Sequence, residues 1–212
     1  MPQQEIQVDW VGDLVCPWCY VAWHSFKQTA ALRPQYSFNV LWRPFLLDPQ
    51  APVNGTNRAE YYAAKFAGAD EFAEKEKTVA EAAERLGAPM NLALQNVLPN
   101  TVDAHRVVLW AYGRDLGPAA VDALYAAYFV EGRNLSDPET LADIAGKIGL
   151  DAELVREALR TDDDRDIVFN SHQSCTQMGI EGVPVLIFDG KTAAMGANQP
   201  EAYAEAADKA AD

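Results

Sequence analysis

Within its first fifty residues the chain changes hydrophobic period twice, and the first change falls on a pair of cysteines. Ile6, Val8 and Trp10 alternate with Gln7 and Asp9, the period of two that turns one face of a strand toward a core. Val11 to Val15 then leads directly into Cys16. From Pro17 onward Trp18, Val21, Ala22, Phe26, Thr29 and Ala30 recur at spacings of three and four, which is one face of a helix. Pro17 suits the first helical position, where a missing N–H costs nothing. Pro34 closes the helix, and Tyr36, Phe38, Val40 and Trp42 alternate again. The spacing therefore predicts strand, helix, strand, with Cys16-Pro17-Trp18-Cys19 at the first junction. Arg43 to Asn57, with its prolines and Asn54-Gly55, reads as a loop.

From about Asn57 to Met178 the composition turns alanine-rich and helical, with almost no strand signal. Arg58 to Lys77 is helix-forming, interrupted near Gly68, and the pattern continues to Leu86. Asn100 with Asp103 predicts a capped helix through Trp110. Further helices are expected over Pro118–Val130, Asp137–Ile148 and Asp151–Leu159. Thr161 with Asp162, Asp163 and Asp164 precedes a last one running to Met178, its carboxylates suited to a helix N-terminus. Strand character returns at Val183 to Phe188. Asp189-Gly190 signals a hairpin, Thr192 to Gly196 the partner strand, and Asn198 with Glu201 the cap of a final helix. The two ends are expected to share one sheet, so that residues 1–56 and 179–212 form one discontinuous domain and residues 57–178 a helical insertion. No internal repeat is present.

Charge narrows the possible partners. The 212 residues carry 17 Lys and Arg against 31 Asp and Glu, a formal charge of -14. That balance repels phosphate backbones and anionic membrane surfaces, so neither nucleic acid nor membrane is an expected partner. No apolar run reaches the roughly 18 to 20 residues of a bilayer span. The N-terminus lacks a basic stretch followed by an apolar one. A cytoplasmic location is expected, and the charge says nothing of oligomeric state.

Three cysteines, Cys16, Cys19 and Cys175, concentrate the chemistry. Unpaired N–H groups and the positive end of the helix dipole converge on Cys16 and favour its thiolate. Cys19 lies one turn further on, within reach of a mixed disulfide formed at Cys16. The pair supplies a nucleophile and a resolving thiol, with Pro17 and Trp18 tuning how many amides reach the sulfur. A structural Cys16–Cys19 disulfide is disfavoured, since so short a loop gains little entropy and cytosolic thiols stay reduced. Zinc would need about four ligands. Only Cys175, His24, His105 and His172 could complete the set, and none is paired at ligand spacing, so no metal is expected. Val183-Pro184 is the second clue: a proline at the head of a buried strand forfeits a ladder hydrogen bond. A cis-proline facing the cysteines would explain it, and a trans proline on an edge strand would too.

Other candidates read more simply. Cys175 suits a small buried apolar position. His24, five residues after Cys19, fits a packing or surface role better than thiol tuning. His105 and Arg106 open a helix and are expected to pack or pair there. The Asp162 to Asp164 run reads as a solvated helix end. Tyr61-Tyr62 and Tyr125-Tyr128 read as core or groove lining.

Taken together, Asp13-Leu14-Val15-Cys16-Pro17-Trp18-Cys19, Trp42-Arg43-Pro44-Phe45, Asn100-Thr101, Ala104-His105-Arg106, Ala127-Tyr128-Phe129, Gly179 to Pro184 and Gly196-Ala197-Asn198-Gln199-Pro200 resemble the DsbA-like branch of the thioredoxin superfamily. Within it the chain resembles FrnE-type dithiol-disulfide oxidoreductases. Cousins are 2-hydroxychromene-2-carboxylate isomerases and kappa-class glutathione transferases. The resemblance implies an α/β thioredoxin-like fold with a large all-helical insertion. It implies Cys16 as attacking thiol, Cys19 as buried resolver, and a cis Pro184 with the Val183 backbone offered to an extended substrate. The glutathione-using cousins typically carry Ser at the Cys16 position and lack the second Cys, so this chain's pair favours dithiol chemistry. Cys175 departs from the pattern, having no local partner.

The expected function is thus thiol-disulfide oxidoreductase or isomerase activity on protein or small-molecule disulfides and thiols. No tightly bound cofactor is implied, and glutathione stays open as a co-substrate. The alternatives are a glutathione-dependent isomerase or transferase on the same fold, and a redox-sensing or holdase-like binding module.

Overall fold

The computed structural model describes residues 3–66 and 68–212. In β1 (Gln4–Gly12) the alternation is realised directly: Ile6, Val8 and Trp10 are fully buried while Gln7 stays exposed. β2 (Tyr36–Pro44) runs parallel to it, with Val8 opposite Val40 and Trp10 opposite Trp42. The helix α1 (Pro17–Leu32) makes the crossover between them. On the other edge of β1 lies β5 (Val185–Phe188), antiparallel, followed by β6 (Thr192–Met195). The order is β2-β1-β5-β6, so strands from the two ends of the chain form one sheet, and the fold is thioredoxin-like.

Packing on the two faces of β1 explains its central place. Trp10 meets Trp23 and Phe26 of α1 edge-on, at ring separations of 4.9 and 5.7 Å. Burying side chains of this size is worth about 1.5–3 kcal/mol each. The last helix, α9 (Pro200–Ala211), docks beside α1, where Ser25 Oγ donates to the Asn198 carbonyl at 2.6 Å. Val11 points to the opposite face, into a cluster with Phe45, Cys175, Ile180 and Val185.

The central block contains α2 (Arg58–Lys65), α3 (Ala69–Arg85), α4 (Val102–Tyr112), α5 (Gly117–Phe129), α6 (Pro138–Lys147), α7 (Ala152–Leu159) and α8 (Arg165–Gln177). Asn57, Asp137 and Asp151 cap α2, α6 and α7 by accepting first-turn amides. Each such cap contributes about 1 kcal/mol.

Several sequence expectations are corrected here. Asn100 does not cap α4: Thr101 holds that position, and Asn100 Oδ1 accepts the Val102 amide two residues on, an Asx turn. Asn198 does not cap α9 either: Gln199 holds that position, and the Asn198 side-chain NH2 donates back to the carbonyls of Met195 and Gly196. The stretch read as loop over Arg43–Asn57 begins inside β2 and ends in a two-residue strand, β3 (Thr56–Asn57), paired with β4 (Val97–Leu98). Gly55 precedes it at φ +76°, and a Cβ there would lie 2.7 Å from the Leu98 carbonyl oxygen, so only glycine fits. Asp164 is more than a solvated helix end, since its carboxylate accepts the Trp110 indole N–H at 2.9 Å.

Candidate active site

Cys16 is the N-cap of α1, and this follows from its neighbours. Asp13 turns the chain after β1 and accepts the Cys16 amide at 3.2 Å, while Pro17 begins the helix without an N–H to satisfy. Cys16 Sγ thereby takes the usual place of a capping oxygen, accepting the Cys19 amide at 3.2 Å. On its other side the sulfur faces the Val183 carbonyl oxygen at 3.7 Å. Val183 lies two residues before β5, and its bond to Pro184 is cis. The β6 end is tied to the same loop, with the Gly196 amide donating to the Pro184 carbonyl at 2.8 Å.

The two thiols differ in access less than expected. Cys19 is fully buried and Cys16 is 3% exposed, both unpaired. Cys16 is nearly as covered as Cys19. Val183 covers one side of its sulfur and the first turn of α1 covers the other. Burial pushes the Cys19 thiol well above its ordinary value, and the adjacent Cys16 sulfur adds to the effect. Trp18 stands at the rim, 36% exposed.

Cys16 opens into a cleft of about 460 Å³. Pro17, Trp18, Leu47 and Val183 line its near end, and α2 and α3 supply the far wall. There Tyr62 stacks on Phe72 at 4.7 Å, and the Arg58 guanidinium sits 5.2 and 5.1 Å from those two rings. Arg58 is paired with Glu76 at 2.6 Å. Burial raises the Tyr62 hydroxyl to about 12 despite the nearby Arg58 charge. Lys65 and Lys75 complete this wall, and Lys75 also meets Glu71 at 3.3 Å. A larger cavity of about 700 Å³, lined by Trp110, Arg114 and Leu154, shares no residue with the cleft.

The remaining candidates fall elsewhere. Cys175 is buried among apolar side chains behind the sheet, and burial raises its thiol. His24 packs edge-on against Tyr20 at 4.7 Å. His105 packs and pairs as expected, fully buried and facing Asp13. Arg106, also fully buried, bridges Asp103 at 2.9 Å and the Ala158 carbonyl at 2.8 Å. Among the described residues no three His, Cys, Asp or Glu side chains converge as a metal site. No helix among them is long and apolar enough to cross a membrane. Sequence reasoning gave Tyr62 as core or groove lining, and missed Asp13, Trp42, Leu47, Arg58 and Phe72 as neighbours of the site. Asp13 and Trp42 stood in the motif strings, but nothing in their spacing marked them as neighbours of the thiols.

This sheet order, with a Cys-Pro-Trp-Cys turn at the head of α1, is that of thioredoxin-like proteins. The chain belongs to the family of the DSBA-like thioredoxin domain, whose model matches residues 7–208, a family of thiol-disulfide oxidoreductases. It is similar to a probable DsbA oxidoreductase, SCO1869, from Streptomyces coelicolor, at 29% identity and a TM-score of 0.87 over 97% of this chain and 89% of that one. The Bacillus subtilis (strain 168) protein YwbO is 25% identical over 201 residues, 92% of each chain. The cytosolic disulfide reductase DsbM of Pseudomonas aeruginosa, solved with GSH, shares the fold at 19% identity and a TM-score of 0.62, over 96% of this chain and 95% of that one.

Proposed function

We propose that the protein is a dithiol-disulfide oxidoreductase or isomerase in which Cys16 is the nucleophile and Cys19 the resolving thiol. The observation that carries this reading is the position of the Cys16 sulfur. It lies between the Cys19 amide, which stabilises negative charge, and the Val183 carbonyl at the mouth of the cleft. Cys16, as thiolate, attacks a substrate disulfide; an S–S bond forms to Cys16 while one substrate sulfur leaves as thiolate and takes a proton. Cys19 then loses its proton and attacks the Cys16 sulfur. The second substrate sulfur departs reduced, and the protein is left as the Cys16–Cys19 disulfide. Run in reverse, the same steps oxidise a substrate dithiol. The buried, raised Cys19 thiol suits a resolver, which stays protonated until a mixed disulfide forms next to it.

Val183 and Pro184 serve in this reading as the backbone wall against which an extended substrate lies, and Pro17 and Trp18 shape the amide cradle. Residues 1–56 and 179–212 carry Cys16, Cys19 and the Val183-Pro184 wall, and the insertion, 57–178, contributes the α2–α3 wall. Surroundings are taken to be the reducing cytoplasm. A second reading has one observation in its favour: Arg58, Lys65 and Lys75 bring positive charge to the cleft of an acidic chain. That suits an anionic thiol such as glutathione, as co-substrate or in isomerase or transferase chemistry. Cys19→Ser separates the two. Exchange with a protein disulfide should stall as a covalent adduct at Cys16, visible by mass. Glutathione addition chemistry unaffected by Cys19→Ser, with no adduct trapped, would overturn the dithiol reading.

A further inference from the structure

Asp13 is a buried carboxylate that the exchange steps do not use. It is 1% exposed, three residues before Cys16, and among the described residues its charged or chargeable pairing partner is His105 alone. An unneutralised buried carboxylate costs several kcal/mol unless its oxygens are fully bonded. Both are: Oδ2 accepts the Leu47 amide at 2.8 Å, and Oδ1 faces His105 Nε2 at 3.3 Å. The hydrogen-bond geometry fixes where the protons are. An indole N–H can only donate, and Trp42 Nε1 donates to His105 Nδ1 at 3.0 Å. Nδ1 therefore bears a lone pair, and the ring proton sits on Nε2, directed at Asp13. Every partner of the two carboxylate oxygens is then a donor.

The backbone of the same residue holds the thiol turn. The Asp13 carbonyl accepts the Cys16 amide at 3.2 Å and the Tyr125 hydroxyl at 3.4 Å. Leu47, held by the Asp13 side chain, lines the cleft beside Cys16. The two amides before it are fixed as well, Phe45 to the Gly12 carbonyl at 3.0 Å and Leu46 to His172 Nδ1 at 3.2 Å.

We propose that Trp42, His105 and Asp13 form a hydrogen-bond relay with a single allowed tautomer, which positions Leu47, and with it one wall of the cleft, against the Cys16 turn. Asp13 is thus a positioning residue for the exchange reaction, an assignment that rests on the reading of the cleft given above. The relay makes a specific demand. In Asp13→Asn, an amide with its oxygen toward His105 presents its NH2 to the Leu47 N–H, donor to donor. Flipped, it presents the NH2 to the Nε2 proton, which cannot move while Trp42 occupies Nδ1. Either way one bond is lost. Trp42→Phe releases Nδ1, the ring can change tautomer, and asparagine can then satisfy both neighbours.

The test combines side-chain ¹⁵N NMR of the histidines, hydrogen exchange at the Leu47 amide, and kcat/KM for insulin disulfide reduction. In the wild type and in Trp42→Phe, where the Asp13 carboxylate still demands a donor, His105 should be the Nε2–H tautomer, and in the Asp13→Asn/Trp42→Phe double variant the Nδ1–H tautomer should appear. Losing an amide-to-carboxylate bond corresponds to about tenfold to a hundredfold. Asp13→Asn should therefore speed Leu47 exchange by about that factor and lower kcat/KM by about tenfold. The Asp13→Asn/Trp42→Phe double variant should return both values to within about threefold of Trp42→Phe alone, a compensation that simple loss of packing would not produce. An Nδ1–H tautomer in the wild type, unaltered Leu47 exchange in Asp13→Asn, or a double variant no better than Asp13→Asn would each overturn the relay. Should Asp13→Asn fail to fold, the tautomer of the wild type still decides, Nε2–H supporting the relay and Nδ1–H overturning it. Absence of insulin reduction by the wild type would overturn the exchange reading instead, leaving tautomer and Leu47 exchange to judge the relay.

Discussion

Alkaline pH should unfold the reduced protein earlier than its core alone would suggest, and Cys19 accounts for the first part of the loss. Its thiol is fully buried and raised well above its ordinary value, mainly by that burial. In the unfolded chain the same thiol ionises near 8.5. Between those two values the unfolded state binds fewer protons than the folded one, so folding stability falls as pH rises; below about 8.5 nothing is lost. One proton difference corresponds to about 1.4 kcal/mol per pH unit. From pH about 8.5 to 10, Cys19 should therefore cost about 2 kcal/mol. The assay is the guanidinium midpoint of reduced wild type and of Cys19→Ala across that range, each referred to its own value at neutral pH. Cys175 and the buried tyrosines act in the same direction in both proteins, so the difference in slope isolates Cys19. Parallel slopes for the two proteins would refute the reasoning.

Three further outcomes follow from the geometry. Arg106→Lys should destabilise by about 1–3 kcal/mol in denaturant titration, because a single ammonium cannot span Asp103 and the Ala158 carbonyl while stacking on Trp110. Gly12→Ala should cost about 1–3 kcal/mol and alter the tryptophan fluorescence, since the added Cβ would stand 2.8 Å from Trp10 Nε1 and 3.3 Å from the Trp42 ring. Iodoacetamide at neutral pH should label Cys16 before Cys19, as peptide mass mapping would show, because Cys16 retains some exposure while burial pushes the Cys19 thiol up.

Much of the frame was legible because it rests on local rules. The switch of period at Cys16 places β1, α1 and the thiol junction, and Asp137 and Asp151 announce α6 and α7 as cap residues do. The hairpin signal at Asp189-Gly190 holds because both residues take positive φ, 48° and 66°. What failed turned on competing bonds within a loop or on partners far along the chain. Asn100 and Asn198 resemble caps, yet each side chain finds a nearer use in its own loop. β3 and β4 are too short to leave a period, and exist because residue 56 meets residue 98. The near-burial of Cys16 comes from Val183, which no spacing rule brings to it. The aromatic wall opposite Cys16 is built from Tyr62 and Phe72, whose helical spacing says only that they share sides of helices. A buried carboxylate is the hardest to foresee. Asp13 reads as an ordinary turn residue until His105, ninety-two positions later, is known to face it.

The meeting of Cys16 with Val183 across 167 positions has a consequence for how the protein is made. At roughly 5–20 residues per second, about ten to thirty seconds separate the synthesis of the two. Throughout that interval the nascent chain presents Cys16 without the carbonyl that covers it, and β1 lacks its β5 neighbour. The emerging thiol is then open to any oxidant or disulfide near the ribosome. Closing so long a loop is also entropically slow compared with forming α1 or the helices between. A chain stopped before Val183 would keep both cysteines and lose the wall beside them, making truncated products reactive rather than inert.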